Sequence, residues 1–189
     1  MKIVVNPLGR MINNYFMMMA LPLALWFIVE YLVRNASAHH LLLNLLNLPM
    51  AVVTPVFVWW VIRRLRRELL GDMLLGLQAW SFGVQLTFYA SLIEALFIYV
   101  YNQFIFPGEL ASVQEAMVAQ YDEVLQALTE IGAYASMLPK FQETLDSLRS
   151  APIPTPIEAA ITQLSNEIFY AMIYMIPLAF ILRKKPQAE

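Results

Sequence analysis

The stretch that decides the fold is residues 41–62, LLLNLLNLPMAVVTPVFVWWVI, which contains no charged side chain. As an α-helix rising about 1.5 Å per residue it would be roughly 33 Å long, and a bilayer's hydrocarbon core is about 30 Å thick. The run stops directly at RRLRR, residues 63–67. An uncharged segment of this length that ends at a basic cluster is typical of a transmembrane helix.

The composition of the whole chain agrees with this interpretation. Of 189 residues, 60% are hydrophobic and 14% are charged, whereas soluble domains average about 45–50% apolar and about 25% charged residues. The chain has no cysteine, and its two histidines are adjacent, so a thiolate site or a histidine chelate is disfavoured. The net charge of −2 does not favour a nucleic-acid partner, and we expect no metal and no cofactor.

Three further membrane segments are predicted, which makes the fold class all-α with four spans. The first is residues 15–33, with Glu30 as its only charge, and the third is residues 80–102, which contains Glu94. The fourth apolar run, 168–182, is short. However, Thr155-Pro156-Ile157-Glu158 before it reads as a capping box with proline at the first helical position, which predicts one long helix from Pro156 to about Lys184.

A cleavable signal peptide is the alternative to the first span. Ala36-Ser37-Ala38 resembles a small-residue cleavage site. An apolar run covering 15–33 is longer than the usual core of about 7–15 residues, which favours a retained span.

The basic residues predict the orientation of the spans. With the N-terminus in the cytoplasm, the cytoplasmic side holds nine basic residues and the outer side holds three; the nine are Lys2, Arg10, Arg63, Arg64, Arg66, Arg67, Arg183, Lys184 and Lys185, and the three are Arg34, Lys140 and Arg149. Because positive charge is enriched in cytoplasmic loops, we expect a bacterial inner-membrane protein with both termini in the cytoplasm.

This orientation divides the chain into residues 1–106 with three spans, an extracytoplasmic helical hairpin at 107–155, and a last helix at 156–185. Residues 107–160 hold eight acids and two bases. Apolar residues recur there at helical spacing in two runs, Met117, Tyr121, Val124, Leu128 and Ile131, then Tyr134, Leu138, Phe141, Leu145 and Leu148. These two seams are expected to pack on each other, with the turn at Gly132 and with Pro139 in the first turn of the second helix. The hairpin is either a compact spacer or a docking surface for a partner.

Small and polar residues on the third span form one candidate site. Ala79, Gly83, Thr87, Ser91 and Ala95 recur every four residues, which is typical of close helix packing in membranes. Glu94 projects onto the same stripe. A mid-membrane carboxyl is costly, and no basic residue is expected inside a span to pair with it. Its candidate partners are Asn44, Asn47, Ala51 and Thr54 of the second span, or Tyr170 and Tyr174 of the fourth. Glu94 is a polar clamp, a proton- or ion-coupling group, or a contact to a partner's membrane helix.

The arginine cluster is the second candidate site. Arg63, Arg64, Arg66 and Arg67 either anchor the topology at the headgroups or hold an anionic lipid headgroup.

Two segments carry a resemblance to a known family. They are 80–83, WSFG, and 99–107, YVYNQFIFP, followed by the acidic outward helices and the final Arg183-Lys184-Lys185. The chain resembles the membrane proteins grouped as "domain of unknown function 4199", common in Bacteroidetes. The resemblance implies four spans with a helical insertion before the last, no established activity, and genes that often neighbour that of a membrane glycosyltransferase acting on polyprenyl phosphate.

The sequence thus favours a non-enzymatic accessory or scaffold subunit of the inner membrane. It would act through helix–helix association and the outward hairpin, with another membrane protein or a second copy of itself as partner. The alternative is a small lipid-handling or flippase-like component, in which the arginines hold a polyprenyl-linked headgroup and Glu94 lines the path. No phosphate-binding glycine loop, metalloprotease helix or nucleophile elbow occurs in the sequence.

Overall fold

The computed structural model describes residues 7–40, 43–131 and 138–183. Within these ranges the chain forms no β-strand and folds into six α-helices, which are α1 (Pro7–His39), α2 (Asn44–Leu69), α3 (Gly76–Val100), α4 (Glu109–Ile131), α5 (Leu138–Ser150) and α6 (Pro156–Leu182). A π-helical turn, Tyr101–Ile105, continues α3. The predicted all-α class is confirmed.

Four of these helices are long and apolar enough to cross a membrane. They are α1, α2, α3 with its π-helical turn, and α6, which contain 33, 26, 30 and 27 residues. The protein is therefore a multi-pass membrane protein whose surroundings are a lipid bilayer. Leu41 and Leu42, at the start of the predicted second span, and the basic Lys184 and Lys185 lie outside the described residues.

The start of α6 has the predicted capping box. The Thr155 backbone N–H donates to Glu158 Oε2 at 2.8 Å, and the Glu158 backbone N–H donates to Thr155 Oγ1 at 3.4 Å. Pro156 occupies the first helical position, where its missing N–H leaves no donor unsatisfied. The cap fixes where this helix begins, so the short apolar run 168–182 becomes the second part of a longer helix.

The bundle is organised around α3, which packs most extensively on α6 and next on α1. The packing of α6 on α3 uses the space at Gly83, where a Cβ atom would overlap the side chain of Met175. Hydrogen bonds across the same interface include one from Trp80 Nε1 to the Met172 carbonyl at 3.0 Å and one between the Thr87 and Tyr174 hydroxyls at 2.9 Å. Small residues at an interface of membrane helices allow such close packing.

Helices α4 and α5 pack against each other as a hairpin. Gln114 Nε2 donates to the carbonyls of Leu148 and Ala151 at 3.0 and 2.9 Å, and Arg149 Nη2 donates to Asp122 Oδ1 at 2.7 Å. Pro139 is the second residue of α5, so its predicted place in the first turn is confirmed. The predicted turn at Gly132 and the seam residue Tyr134 lie outside the described residues.

The two apolar seams were expected to pack on each other. The seam of α5 is buried at Leu145, but much of the seam of α4 is exposed. Leu145 is buried, whereas Met117, Tyr121 and Val124 remain 38–44% exposed. Helix α4 also contacts α1, because Gln120 Nε2 donates to the carbonyls of Ser37 and Ala38 at the end of α1. The hairpin therefore exposes an apolar row on α4.

Candidate intramembrane polar site

The small-residue stripe of α3 is buried in the bundle. Ala79, Gly83, Thr87 and Ser91 are buried, and Ala95 is half-buried. Glu94 lies on this side of the helix and is 1% exposed. The carboxyl thus faces protein rather than lipid, and its burial makes an unpaired charge there costly.

Glu94 has one hydrogen-bond partner among the described residues. Gln163 of α6 donates from Nε2 to Glu94 Oε1 at 3.1 Å. The other carboxyl oxygen, Oε2, is buried without a partner. A buried polar atom left unpaired costs about 1–3 kcal/mol, so this oxygen marks a place where a proton or a polar ligand would stabilise the protein.

Gln163 connects Glu94 to charged groups on two other helices. Its Nε2 also donates to Glu167 Oε1 at 2.8 Å, and its Oε1 accepts from Arg34 Nη1 at 3.2 Å. Arg34 Nη2 lies 3.7 Å from Glu30 Oε1, one helical turn away on α1. These side chains form one group, which we call the polar cluster: Glu30, Arg34, Glu94, Gln163 and Glu167. It contains three carboxyl groups, one guanidinium and one amide.

No basic residue among the described residues bonds directly to Glu94, but Arg34 is connected to it indirectly. Helix α1 extends through Arg34 to His39, beyond the predicted end at residue 33. The Arg34 guanidinium consequently reaches Glu94 through the side-chain amide of Gln163.

The candidate partners on α2 lie elsewhere. Asn47 Nδ2 donates to Asn44 Oδ1 at 3.3 Å, and Asn44 is exposed. The hydroxyl of Tyr174 pairs with Thr87 instead of Glu94. The reason is that α3 packs more extensively on α6 than on α2, so a residue on the buried stripe of α3 meets α6 first.

Gln163 and Glu167 were not among the predicted site residues. A signal for them exists, because Gln163, Glu167, Tyr170 and Tyr174 follow each other at spacings of 4, 3 and 4, which places them on one face of α6.

A cavity of about 500 Å³ lies beside the polar cluster, between α1, α2 and α6. Its lining includes Glu30 and Arg34 from α1, Asn47 and Thr54 from α2, and Glu167 and Tyr170 from α6. Asn47 thus lines this cavity rather than contacting Glu94. Among the described residues no group of three or more His, Asp or Glu side chains could hold a metal ion.

The four arginines after α2's apolar segment do not all line one cavity. Arg66 Nη1 donates to the Leu182 carbonyl at the end of α6 at 2.9 Å, and its Nε lies 2.9 Å from Asp72 Oδ1. The other three, Arg63, Arg64 and Arg67, line a second cavity of about 340 Å³ together with Trp59, Trp60 and Glu68. There the Arg63 guanidinium lies 5.0 Å from the ring centroid of Trp59.

One comparison with known proteins identifies the chain. The family model described as "Protein of unknown function (DUF4199)" matches residues 17–184. Neither the comparison with curated proteins nor that with solved structures gave a match. Because the family model covers nearly the whole chain, including most of α1 and all of the other three membrane helices, the protein belongs to the family described as "Protein of unknown function (DUF4199)".

Proposed function

We propose that this protein is a non-enzymatic accessory subunit of a membrane complex, and that it holds its partner through α4 of the hairpin. The observation that carries the proposal is the row of Met117, Tyr121 and Val124, which stays 38–44% exposed although α5 packs on the same helix. Exposed apolar rows with polar surroundings are typical of interaction surfaces.

The charge of α4 indicates what kind of partner fits. The helix contains five acids and no lysine or arginine; the acids are Glu109, Glu115, Asp122, Glu123 and Glu130. An anionic bilayer surface would repel such a helix, and so would the same helix of a second copy. The partner is therefore a different membrane protein with a basic segment outside the membrane.

The orientation belongs to the same proposal. Nine basic residues against three favour cytoplasmic termini in a bacterial inner membrane. The hairpin follows the third span, so this arrangement puts α4 outside the cytoplasm, where it would meet an extracytoplasmic segment of the partner.

A paired substitution tests the association. The variant Tyr121→Ser with Val124→Ser removes apolar contacts without changing the charge, and we expect it to lose the protein that co-purifies with wild type in mild detergent. The matched control, Ala119→Ser with Gln126→Ser, alters two exposed positions on the opposite side of α4 and should keep that protein. Equal retention by both variants would contradict the proposal.

A second candidate function rests on the cavity between Trp59, Trp60 and three arginines. Guanidinium groups bind phosphate bidentately, so this cavity suits the headgroup of a polyprenyl phosphate at the membrane surface. The same purification separates the two candidate functions. Lipid handling would be favoured if the variant Arg63→Gln with Arg67→Gln lost a co-purifying polyprenyl lipid while the α4 variant kept its protein partners.

A further inference from the structure

The cavity beside the polar cluster lies where the apolar parts of two helices end. Residues 15–29 of α1 are uncharged, and Glu30 follows them directly. In α6, Glu167 comes directly before the apolar run 168–182. Since uncharged segments occupy the hydrocarbon core and charged groups its edge, Glu30 and Glu167 lie at the level of the lipid headgroups, in the leaflet next to the α1–α2 connection.

The cavity is open on the outer surface of the helical bundle. Tyr170 and Ile173, on its α6 wall, are 60% and 51% exposed. In a membrane protein that outer surface faces lipid. A phospholipid can therefore reach the cavity laterally, with its headgroup at the depth where the charged residues lie.

The lining offers charges of both signs. Glu30 and Glu167 supply two carboxyl groups, and Arg34 supplies one guanidinium. Arg34 uses one N–H on Gln163, and its Nη2 lies 3.7 Å from Glu30 Oε1, which is too long for a hydrogen bond. With five N–H donors in its side chain, Arg34 keeps donors for a further acceptor.

A buried hydroxyl in the lining also lacks a partner. Thr54 of α2 is 7% exposed, and its Oγ1 makes no hydrogen bond. Threonine in a helix commonly bonds back to a carbonyl of the preceding turn, but the Thr54 hydroxyl makes no such bond. It stands in the lining opposite α6, where an oxygen of a ligand would satisfy it.

From these observations we propose that the cavity between α1, α2 and α6 binds the headgroup of an aminophospholipid. The primary ammonium would donate to the carboxyl groups of Glu30 and Glu167, and the phosphate would accept from Arg34. Carboxyl groups accept N–H hydrogen bonds, so a primary ammonium fits better than a trimethylammonium, which has no N–H to donate. A zwitterion also matches a lining that contains both signs, which a purely anionic lipid does not.

The test compares lipids that differ only at the headgroup. The purified full-length protein is exchanged into nanodiscs with equal amounts of phosphatidylethanolamine, phosphatidylcholine and phosphatidylglycerol of identical acyl chains, and the lipids retained after release into detergent are counted by native mass spectrometry. We expect about tenfold preference for phosphatidylethanolamine over phosphatidylcholine, as charge-assisted hydrogen bonds would produce. Equal retention of these two lipids by wild type would overturn the proposal, and this arm needs no variant.

Variants assign the preference to the cavity. Glu30→Gln with Glu167→Gln should reduce the preference to about one, while Arg34→Gln should weaken retention of both zwitterionic lipids. The control is Glu143→Gln with Asp146→Asn, two exposed acids of α5 outside this cavity, which should keep the wild-type preference. A preference that survives in the Glu30/Glu167 variant, or is lost in the control, would place the lipid elsewhere and contradict the proposed site.

Discussion

At the scale of single residues, the polar cluster depends on Gln163. Its amide nitrogen serves two carboxyl oxygens, on Glu94 and Glu167, while its amide oxygen accepts from Arg34. Only an amide side chain offers two N–H donors and an acceptor oxygen on the same carbon. Neither a carboxylate nor an ammonium at this position would connect acids to a guanidinium in the same way.

We therefore expect Gln163→Leu to destabilise the protein by about 1–3 kcal/mol, because Glu94 would lose its hydrogen-bond donor while remaining buried. Thermal unfolding in mild detergent measures the effect. Asn166→Leu, an exposed amide on the same helix, is the control and should change stability by less than about 0.5 kcal/mol. Equal effects of the two substitutions would show that the bridge contributes nothing.

The sequence predicted the features of this site that belong to one helix, but not the contacts between helices. Helical spacing placed Glu94 on the stripe of small residues of α3, because a periodicity describes one helix by itself. The same spacing could not say which helix lies opposite, and the amides of α2 were expected where Gln163 of α6 is found. Choosing between neighbours requires the packing of the whole bundle.

At the scale of elements, the pair α3 and α6 holds the bundle together. Their contact is the most extensive between any two helices of the described structure, and it combines the space at Gly83 with three hydrogen bonds between the two helices. In a bilayer such close packing and interhelical bonds drive association, since lipid tails are as apolar as the side chains.

Gly83→Ala should destabilise this pair by about 1–3 kcal/mol, because the new methyl group overlaps the Met175 side chain and forces it to move. Gly76→Ala is the matched control on the same helix. A Cβ there would have only ordinary contact, 3.8 Å from the Ala179 carbonyl oxygen. Chemical denaturation in detergent would show the difference, and equal stability of the two variants would exclude a packing role for Gly83.

The elements themselves were largely readable from the sequence. The four apolar runs predicted the membrane helices, and residues 155–158 predicted the start of α6, because caps and hydrophobic length are local properties. Which face of α4 is buried could not be predicted from the sequence. In the structure Gln120 bonds to carbonyls at the end of α1, and such a contact between residues more than 80 positions apart leaves no local pattern in the sequence.

At the scale of the whole molecule, four membrane helices carry an acidic helical pair, α4 and α5, and a cluster of arginines at 63–67. Residues 107–160 hold eight acids and two bases, and residues 63–67 hold four arginines. If positive charge stays in the cytoplasm, these two segments lie on opposite sides of the bilayer. The proposed partner surface on α4 and the leaflet of the proposed lipid site both follow from that orientation.

Cysteine labelling tests this orientation most directly, because the chain contains no cysteine of its own. Gln126→Cys in α4 and Met73→Cys between α2 and α3, both at exposed positions, are treated with a membrane-impermeant maleimide in intact bacteria. We predict that Gln126→Cys is labelled through the outer face of the inner membrane, and that Met73→Cys is labelled only after the membrane is permeabilised. Labelling of Gln126→Cys only from the cytoplasmic side would contradict the account.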